Sequence, residues 1–180
     1  MSHKRSDRSL FGCPIAQSFA SIVVLEQLLK EQKPVNVVEL GTSTGVLSTY
    51  LQCYANRNGA GFVTYDINKP KAKPHYAFKQ EDIRSSTAVY NITNMINGSK
   101  GHSLLIVDAN DPKSEDINFY APLLKSGTII AGHDCILNDD KPFKWGFRLR
   151  DINWEKVELL HPYHEYSKEL DTRMLYLIVK

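Results

Sequence analysis

Short segments rich in β-branched and aliphatic residues alternate with helical patterns along most of this chain, which limits the possible folds more than any other feature. The segments are too short for typical helices and predict strands at residues 35–40, 61–67, 76–83, 103–109 and 127–134. A connection that contains a helix can bring the chain back to the same edge of a sheet. The pattern therefore predicts parallel strands joined by crossover helices, and an α/β fold class.

Apolar residues recur at spacings of three and four in the remaining segments, which predicts one helix before the first strand and three among the later ones. Their apolar stripes are Phe19, Ile22, Leu25 and Leu29; Leu47, Tyr50, Leu51 and Tyr54; Ala88, Ile92, Met95 and Ile96; and Ile117, Tyr120, Ala121 and Leu124. The first helix is predicted over residues 14–33, because Pro34 ends it. Gly59, Gly98 and Gly127 are placed to end the other three.

The pattern changes at the end of the chain. Residues 154–160 and 173–180 predict two more strands, and the polar, aromatic segment between them predicts a loop without a helix. Two strands joined by a loop favour an antiparallel pair. No repeat, low-complexity tract or linker is visible, so we predict a single domain over residues 1–180 with a helical lead-in over residues 1–34.

The composition gives no global electrostatic reason for a nucleic-acid or membrane-surface partner, since 22 basic and 20 acidic side chains leave a net charge of +2. The most apolar segment near the start, residues 18–29, is too short to span a bilayer and contains Glu26. Cys13, Cys53 and Cys135 form no CxxC pattern, so neither a disulfide framework nor a structural zinc site is predicted. We therefore expect a cytoplasmic protein with no membrane partner.

The turn after the first predicted strand is the strongest candidate for a ligand site. A phosphate-binding P-loop needs a lysine after its last glycine, but Val46 follows Gly45 here. A dinucleotide-binding turn needs glycines where this chain has Ser43 and Val46. The pattern ExGxxxG fits, because Gly41 lets the chain turn closely past a ligand and Gly45 lets the next helix start tightly.

The segment "VVELGTSTG" resembles the first motif of the class I S-adenosylmethionine-dependent methyltransferases. The resemblance covers nearly the whole chain. It implies that the methionine part of the cofactor is held by Glu39, Gly41, Thr42, Ser43, Thr44 and Gly45. "VTYDI" resembles the second motif, in which Asp66 would accept hydrogen bonds from the ribose hydroxyls. "KQEDI" is similar to the third, in which Glu81 and Asp82 would lie beside the adenine.

The resemblance also implies the fold: a Rossmann-like, three-layer α/β/α methyltransferase domain with a mostly parallel seven-stranded sheet and an antiparallel C-terminal strand pair. A GxxxG turn after a strand also occurs without a ligand, and an acid at a strand end also caps helices. The motifs indicate S-adenosylmethionine because they occur together, in order and in register with the strands.

Three polar residues follow the fourth and fifth predicted strands. Asp108 ends the fourth, and His133 and Asp134 end the fifth, so we expect them at one spot beside the cofactor, with Asp108 also a cofactor contact. This arrangement resembles the metal-dependent O-methyltransferases of the catechol, macrocin and cephalosporin-tailoring types, which implies a divalent metal, magnesium or manganese. His133 departs from that pattern, since magnesium prefers oxygen ligands and imidazole suits softer ions.

A metal would lower the pKa of a substrate hydroxyl and fix its oxygen in line with the methyl group. Without a metal, His133 is the candidate general base. Lys113 is a further candidate base, by a loose resemblance to the lysine that follows the fourth-strand acid in catechol enzymes. The alternative without catalysis is that Asp108 caps the next helix and His133 is an ordinary loop residue.

The main functional hypothesis is O-methylation of a hydroxyl on a small molecule. Basic residues interleaved with aromatics at residues 67–79 and 141–150 leave methylation of a nucleic acid or another anionic polymer as an alternative. A third possibility, from another class, is a cofactor-binding module without catalysis that acts through a partner. Little chain remains beyond the core to enclose an acceptor, so we also expect a homo-oligomer or mobile loops to complete the pocket.

Overall fold

The computed structural model describes residues 9–10, 13–14, 17–70, 76–136 and 146–180. The strands are β1 Ser9–Leu10, β2 Cys13–Pro14, β3 Asn36–Leu40, β4 Gly61–Asp66, β5 Phe78–Gln80, β6 Ser103–Val107, β7 Ile129–Gly132, β8 Cys135–Ile136, β9 Phe147–Arg148, β10 Val157–Leu159 and β11 Leu175–Val179. The α-helices are α1 Phe19–Gln32, α2 Val46–Asn58, α3 Ser86–Asn97, α4 Lys113–Tyr120 and α5 Tyr163–Glu169. Two 3-10 helices cover Ala121–Leu123 and Leu149–Asp151.

Seven strands form the central sheet, in the order β10-β11-β7-β6-β3-β4-β5. The pairs β3–β4, β4–β5, β3–β6 and β6–β7 are parallel, and β11 runs antiparallel to both of its neighbours. The chain proceeds outward from β3 to β5 and then returns to the other side of β3, so the strand order reverses between β3 and β6. The predicted fold class, with its antiparallel C-terminal pair, is confirmed.

Both faces of the sheet are covered, which explains the continuous apolar runs of its strands. Val37 belongs to the apolar layer beneath α1, α2 and α5, and its neighbour Val38 belongs to the layer beneath α3 and α4. Successive residues of a strand point to opposite faces of the sheet. Since helices cover both faces, both side chains are fully buried. Among the described residues, none of the helices combines the length and apolar character that crossing a bilayer requires.

The predicted helix over residues 14–33 begins later than expected. Cys13–Pro14 pairs with Ser9–Leu10 as an antiparallel two-stranded sheet, and α1 starts at Phe19. Ser18 defines this start, because its side chain accepts a hydrogen bond from the backbone amide of Ser21. The helical lead-in was therefore wrong at its beginning. The prediction of one domain over residues 1–180 stays a prediction.

The absence of a helix between the last two strands was also wrong, since α5 lies there. Its buried side chains are those of Tyr163, His164 and Ser167, two of which are polar. Ser167 donates a hydrogen bond to the carbonyl of Met174, next to β11. A helix whose inward face carries polar groups has no apolar stripe, so the periodicity of the sequence does not reveal it.

The tight turn between β3 and α2 ties three strands together at their carboxyl ends. The amide of Gly41 donates to the carbonyl of Tyr65 at 2.8 Å, and the amide of Asp108 donates to the carbonyl of Leu40 at 2.8 Å. Gly41 has φ of 99°, and a Cβ there would overlap the carbonyl oxygen of Asp108. The close approach of these backbones therefore requires glycine.

We expect Gly41→Ala to destabilise the protein more than Gly59→Ala does. Both glycines have positive φ, but a Cβ on Gly59 would meet nothing within 4 Å. Gly59→Ala, the control, should lower the free energy of unfolding by about 1 kcal/mol, because alanine disfavours a left-handed backbone. Gly41→Ala should lower it by roughly 1–3 kcal/mol more, because its Cβ also overlaps Asp108. Urea unfolding of the two variants measures the difference. Equal losses would show that the approach to Asp108 does not constrain the turn.

Candidate functional site

A cleft of about 490 Å³ lies at the carboxyl ends of β3, β4 and β6, where the strand order reverses. Open parallel sheets bind ligands at this point. The predicted cofactor residues that line it are Gly41, Ser43, Thr44, Asp66, Asp82 and Asp108. Ile67, Asn68, Lys69, Ile83, Ala109 and Asn110 complete the lining and were not predicted.

Asp66 is held in the cleft by backbone amides. Its Oδ2 accepts from the amide of Ser43 at 2.9 Å, and its Oδ1 accepts from the amide of Asn68 at 2.8 Å. Each carboxylate oxygen can accept a further hydrogen bond, so the side chain can bind a pair of hydroxyls. Ile67, which is 64% exposed, and the buried Ile83 add apolar surface to the same cleft. A ribose with an attached flat ring matches this combination.

Other predicted cofactor residues have structural roles. Thr42 is buried and its hydroxyl pairs with that of Thr64 at 2.6 Å. Gly45 is the N-cap of α2, and a Cβ there would overlap the hydroxyl of Tyr76. Glu81 accepts a hydrogen bond from the hydroxyl of Ser85 at 2.7 Å and is not among the residues that line the cleft. The structure therefore places Asp82, and not Glu81, in the cleft.

Glu39 lies fully buried behind the loop. Burial raises the pKa of its carboxyl to about 8, and the charges of Asp108 and Asp66 act in the same direction. Hydrogen bonds from Ser48 and Thr64 oppose this shift without cancelling it. At neutral pH the carboxyl is therefore mainly protonated in this structure, so it can donate a hydrogen bond as well as accept one.

A second, smaller cavity of about 150 Å³ adjoins the cleft. The two share Gly41, Ser43, Thr44 and Asp108 in their walls. The smaller cavity is also lined by Gln17, Glu39, Thr42, Leu47, His133 and Asp134. Asp108 therefore stands between the large cleft and the residues that follow β7.

Backbone hydrogen bonds explain why residues from three parts of the chain meet in this cavity. The amide of His133 donates to the carbonyl of Val107 at 3.0 Å, and the amide of Cys135 donates to the carbonyl of Arg173 at 2.9 Å. Asp134, between them, has a left-handed backbone with φ of 63°. The ends of β6 and β7 and the residues just before β11 thus form one site.

The three predicted metal ligands are brought together there. One potential ligand atom each from Asp108, His133 and Asp134 lie within 4.8 Å of one another. Nδ1 of His133 is 3.2 Å from Oδ1 of Asp108 and 3.5 Å from Oδ2 of Asp134. Burial lowers the pKa of His133, but hydrogen bonds to the two carboxylates and their charges outweigh it and raise the pKa to about 9.

Lys113 belongs to the same cluster, and its side chain is only 5% exposed. Its Nζ is 2.7 Å from Oδ1 of Asp111, 3.3 Å from Oδ2 of Asp134 and 3.6 Å from Oδ1 of Asp108. Burial lowers the pKa of Lys113, but the three carboxylates outweigh it and the pKa lies above its ordinary value. A lysine held in its charged form keeps its proton and has no free electron pair to accept another, so these surroundings do not favour Lys113 as a base.

The remaining carboxylate oxygens also have partners. Nε2 of Gln17 donates to Oδ2 of Asp108 at 3.0 Å, and Nη2 of Arg173 is 2.7 Å from Oδ1 of Asp134. Each of the four carboxylate oxygens therefore faces a nitrogen of the protein. The cluster has the donor atoms for a divalent ion, but as placed it does not fit one unless Lys113 moves. The metal stays a prediction.

Asp116 connects two walls of the large cleft and was not predicted. Its Oδ1 accepts from Nε and Nη2 of Arg84 at 2.9 and 2.6 Å, and its Oδ2 accepts from Asn110 at 3.2 Å. One turn further along α4, the hydroxyl of Tyr120 donates to the carbonyl of Ile83. Asn110 and Ile83 line the cleft, so α4 fixes its outer wall. The sequence did not indicate this role, because Asp116 is an isolated acid next to the apolar stripe of the predicted helix and belongs to no motif.

Solved structures with the same architecture identify the fold. CmcI with magnesium and S-adenosylmethionine matches over 96% of this chain and 76% of its own, with a TM-score of 0.69 and 15% sequence identity. Its apo structure matches over the same shares with a TM-score of 0.71 and 15% identity. An S-adenosylmethionine methyl transferase from Silicibacter pomeroyi matches over 89% of this chain and 94% of its own, at 0.52 and 14%.

The chain has the fold of the class I S-adenosylmethionine-dependent methyltransferases. At this identity the likeness extends to the methyltransferase fold and not to the reaction. No protein-family model matches the sequence, and no curated protein matches it closely.

The basic and aromatic segments are only partly visible in this methyltransferase fold. Lys69 lines the cleft, and Arg148 lies in β9. Lys71, Lys73, Lys141, Phe143, Lys144 and Trp145 lie outside the described residues. Their proposed contact with an anionic polymer stays a prediction.

We expect Asp116→Ala to destabilise the protein by about 3 kcal/mol, the lower end of the range for a broken buried ion pair. The carboxylate of Asp116 is fully buried, whereas Arg84 is 36% exposed and can recover some hydration. Chemical denaturation measures the loss. The control is Glu115→Gln, which removes the exposed acid of the preceding residue and should change stability by less than about 0.5 kcal/mol. Similar values for both variants would contradict this role of Asp116.

Proposed function

We propose that this protein is an S-adenosylmethionine-dependent methyltransferase that methylates a hydroxyl group on a small molecule. One observation carries the proposal: Asp108 is shared by a cleft suited to a nucleoside and a smaller cavity that contains His133. A methyl donor in the first space and a hydroxyl in the second would meet at this residue. Transfer between them then requires positioning and one proton acceptor.

The cleft residues support the choice of cofactor. Asp66 is oriented to accept hydrogen bonds from the two ribose hydroxyls, and Ile67 and Ile83 offer apolar contact to the adenine. The loop of Gly41–Gly45 would then face the methionine part. The likeness in fold to CmcI, which has structures with S-adenosylmethionine and with S-adenosylhomocysteine, supports the choice of this cofactor. The cofactor supplies an electrophilic methyl group, and the protein supplies its orientation.

His133 is the base in this proposal. Its Nδ1 faces Asp108 and Asp134, whose carboxylates hold the ring and stabilise its protonated form. The other ring nitrogen, Nε2, would then accept the proton of the acceptor hydroxyl as its oxygen attacks the methyl carbon and the bond from that carbon to the sulfur of the cofactor breaks. If magnesium or manganese were bound at Asp108, His133 and Asp134, it would instead lower the pKa of that hydroxyl.

The size of the smaller cavity supports a small acceptor group. Its volume of about 150 Å³ is below the ~300–1,000 Å³ of typical ligand pockets, so it would enclose only the reacting part of the acceptor. A homo-oligomer and a polymer acceptor stay predictions. A cofactor-binding module without catalysis is the competing proposal, and it differs in predicting no methyl transfer.

We expect Asp66→Ala to weaken S-adenosylmethionine binding at least about tenfold, because two hydrogen bonds to a charged carboxylate are lost. Isothermal titration calorimetry of the wild type and the variant measures this. Glu155→Gln is the control, since Glu155 is an exposed acid outside the residues that line the cleft. No binding by the folded wild-type protein would refute both the methyltransferase and the silent module.

We expect the rate of methyl transfer to rise about tenfold per pH unit as the pH approaches 9, since His133 must be deprotonated to act and its pKa is raised to about 9. His133→Asn should lower the rate by roughly 10²–10⁴ and remove this rise. The measurement is transfer of labelled methyl to a panel of hydroxyl compounds under saturating cofactor. A flat profile in the wild type would exclude His133 as the base, and cofactor binding without transfer would favour the silent module.

A further inference from the structure

We propose that Lys113 and Arg173 replace a divalent metal in this site, so that the Asp108, His133 and Asp134 cluster works without one. The inference concerns the acceptor cavity of the proposed function. It rests on contacts among described side chains, and its test measures ion binding, which does not depend on methyl transfer.

The ammonium of Lys113 competes for the atoms that an ion would need. A metal bound by the cluster would use one ring nitrogen of His133 with one oxygen from each carboxylate, and Nδ1 is the nitrogen that faces both carboxylates. The oxygens nearest to that nitrogen are Oδ1 of Asp108 and Oδ2 of Asp134, at 3.2 and 3.5 Å. Nζ of Lys113 lies 3.6 and 3.3 Å from the same two oxygens. The lysine therefore occupies the bridging position between the carboxylates.

The two outer oxygens are occupied as well. Oδ1 of Asp134 is 2.7 Å from the guanidinium of Arg173, and Oδ2 of Asp108 accepts from Gln17 at 3.0 Å. Rotation of either carboxylate toward an ion would therefore break a contact with another side chain. Such a cost is larger in a partly buried site, where lost hydrogen bonds are not replaced freely by water.

The charge balance points to the same conclusion. His133 aside, Asp108, Asp111 and Asp134 bring three negative charges, and Lys113 and Arg173 bring two positive charges to them. A divalent ion bridging Asp108 and Asp134 would lie against the nearly buried ammonium of Lys113, in a region where charges are weakly screened. Lys113 and Arg173 thus supply the positive charge that a divalent ion would otherwise bring to the carboxylates of Asp108 and Asp134.

Lys113 is fixed in this position by its place in the fold. It is the first residue of α4, and Asp111 in the preceding turn holds its ammonium at 2.7 Å. Three residues later, Asp116 anchors the same helix to Arg84 and Asn110. The ammonium is therefore a nearly buried group with a carboxylate partner, at the start of a helix that is anchored to two other segments.

Titration of the full chain with MnCl₂, followed by the electron paramagnetic resonance signal of free Mn²⁺, tests the inference. We expect no saturable binding by the wild type up to about 1 mM Mn²⁺, and a gain in affinity of at least about tenfold in Lys113→Met, which keeps the side-chain length and removes the charge. Adding Asp134→Asn to that variant should abolish the gain. Lys125→Met is the control: Lys125 is also held by protein oxygens, those of Ser99 and Gly101, but by no carboxylate.

Saturable Mn²⁺ binding by the wild type that Asp108→Asn removes would overturn the inference. So would a Lys113→Met protein with wild-type circular dichroism and no gain in Mn²⁺ binding. If that variant does not fold, Arg173→Gln replaces it, since Arg173 is 34% exposed and its removal frees Oδ1 of Asp134. A measurable gain in Mn²⁺ binding supports the inference, and no gain contradicts it. None of these outcomes depends on whether the protein transfers a methyl group.

Discussion

The close backbone contact between the turn at Gly41 and the end of β6 is the constraint on which the rest of the site depends. Two amide hydrogen bonds, from Gly41 to Tyr65 and from Asp108 to Leu40, align the ends of β3, β4 and β6. This alignment places the loop after β3 and Asp108 side by side in the lining of one cleft. A larger residue at Gly41 would separate them, so a single glycine sets the geometry of both cavities.

The helix α4 joins the two halves of the site. Its first residue, Lys113, contacts the cluster of Asp108 and Asp134, and its buried Asp116 and Tyr120 hold the loop that carries Ile83. These positions lie on one side of the helix because their spacings are three and four residues. One helix therefore contributes a charge beside the smaller cavity and fixes the outer wall of the large cleft.

Much of the fold and part of the site follow from local patterns. Most strands of the sheet were predicted because strands buried on both faces are apolar runs. Asp108 was predicted because it ends such a run, and Asp66 because its segment resembles a methyltransferase motif. The start of α1 was not predicted, because the strand Cys13–Pro14 precedes it. The helix α5 was not predicted at all, because polar residues form part of its inward face. Glu81 and Asp82 were both predicted beside the adenine, but only Asp82 is among the residues that line the cleft, and the strand before them is shorter than predicted.

The sequence by itself determined the strands of the central sheet and the helices α1 to α4, the turn that can approach a ligand, and the presence of Asp108, His133 and Asp134 at neighbouring strand ends. These features depend on periodicity and on residues close in sequence. Only the tertiary structure decided how the charges of that cluster are balanced. Lys113, Arg173 and Gln17 reach the two carboxylates from separate elements, and long-range ion pairs leave no periodic pattern in a sequence. Their positions depend on how the elements pack, which decides whether the same three residues hold a metal or protein cations.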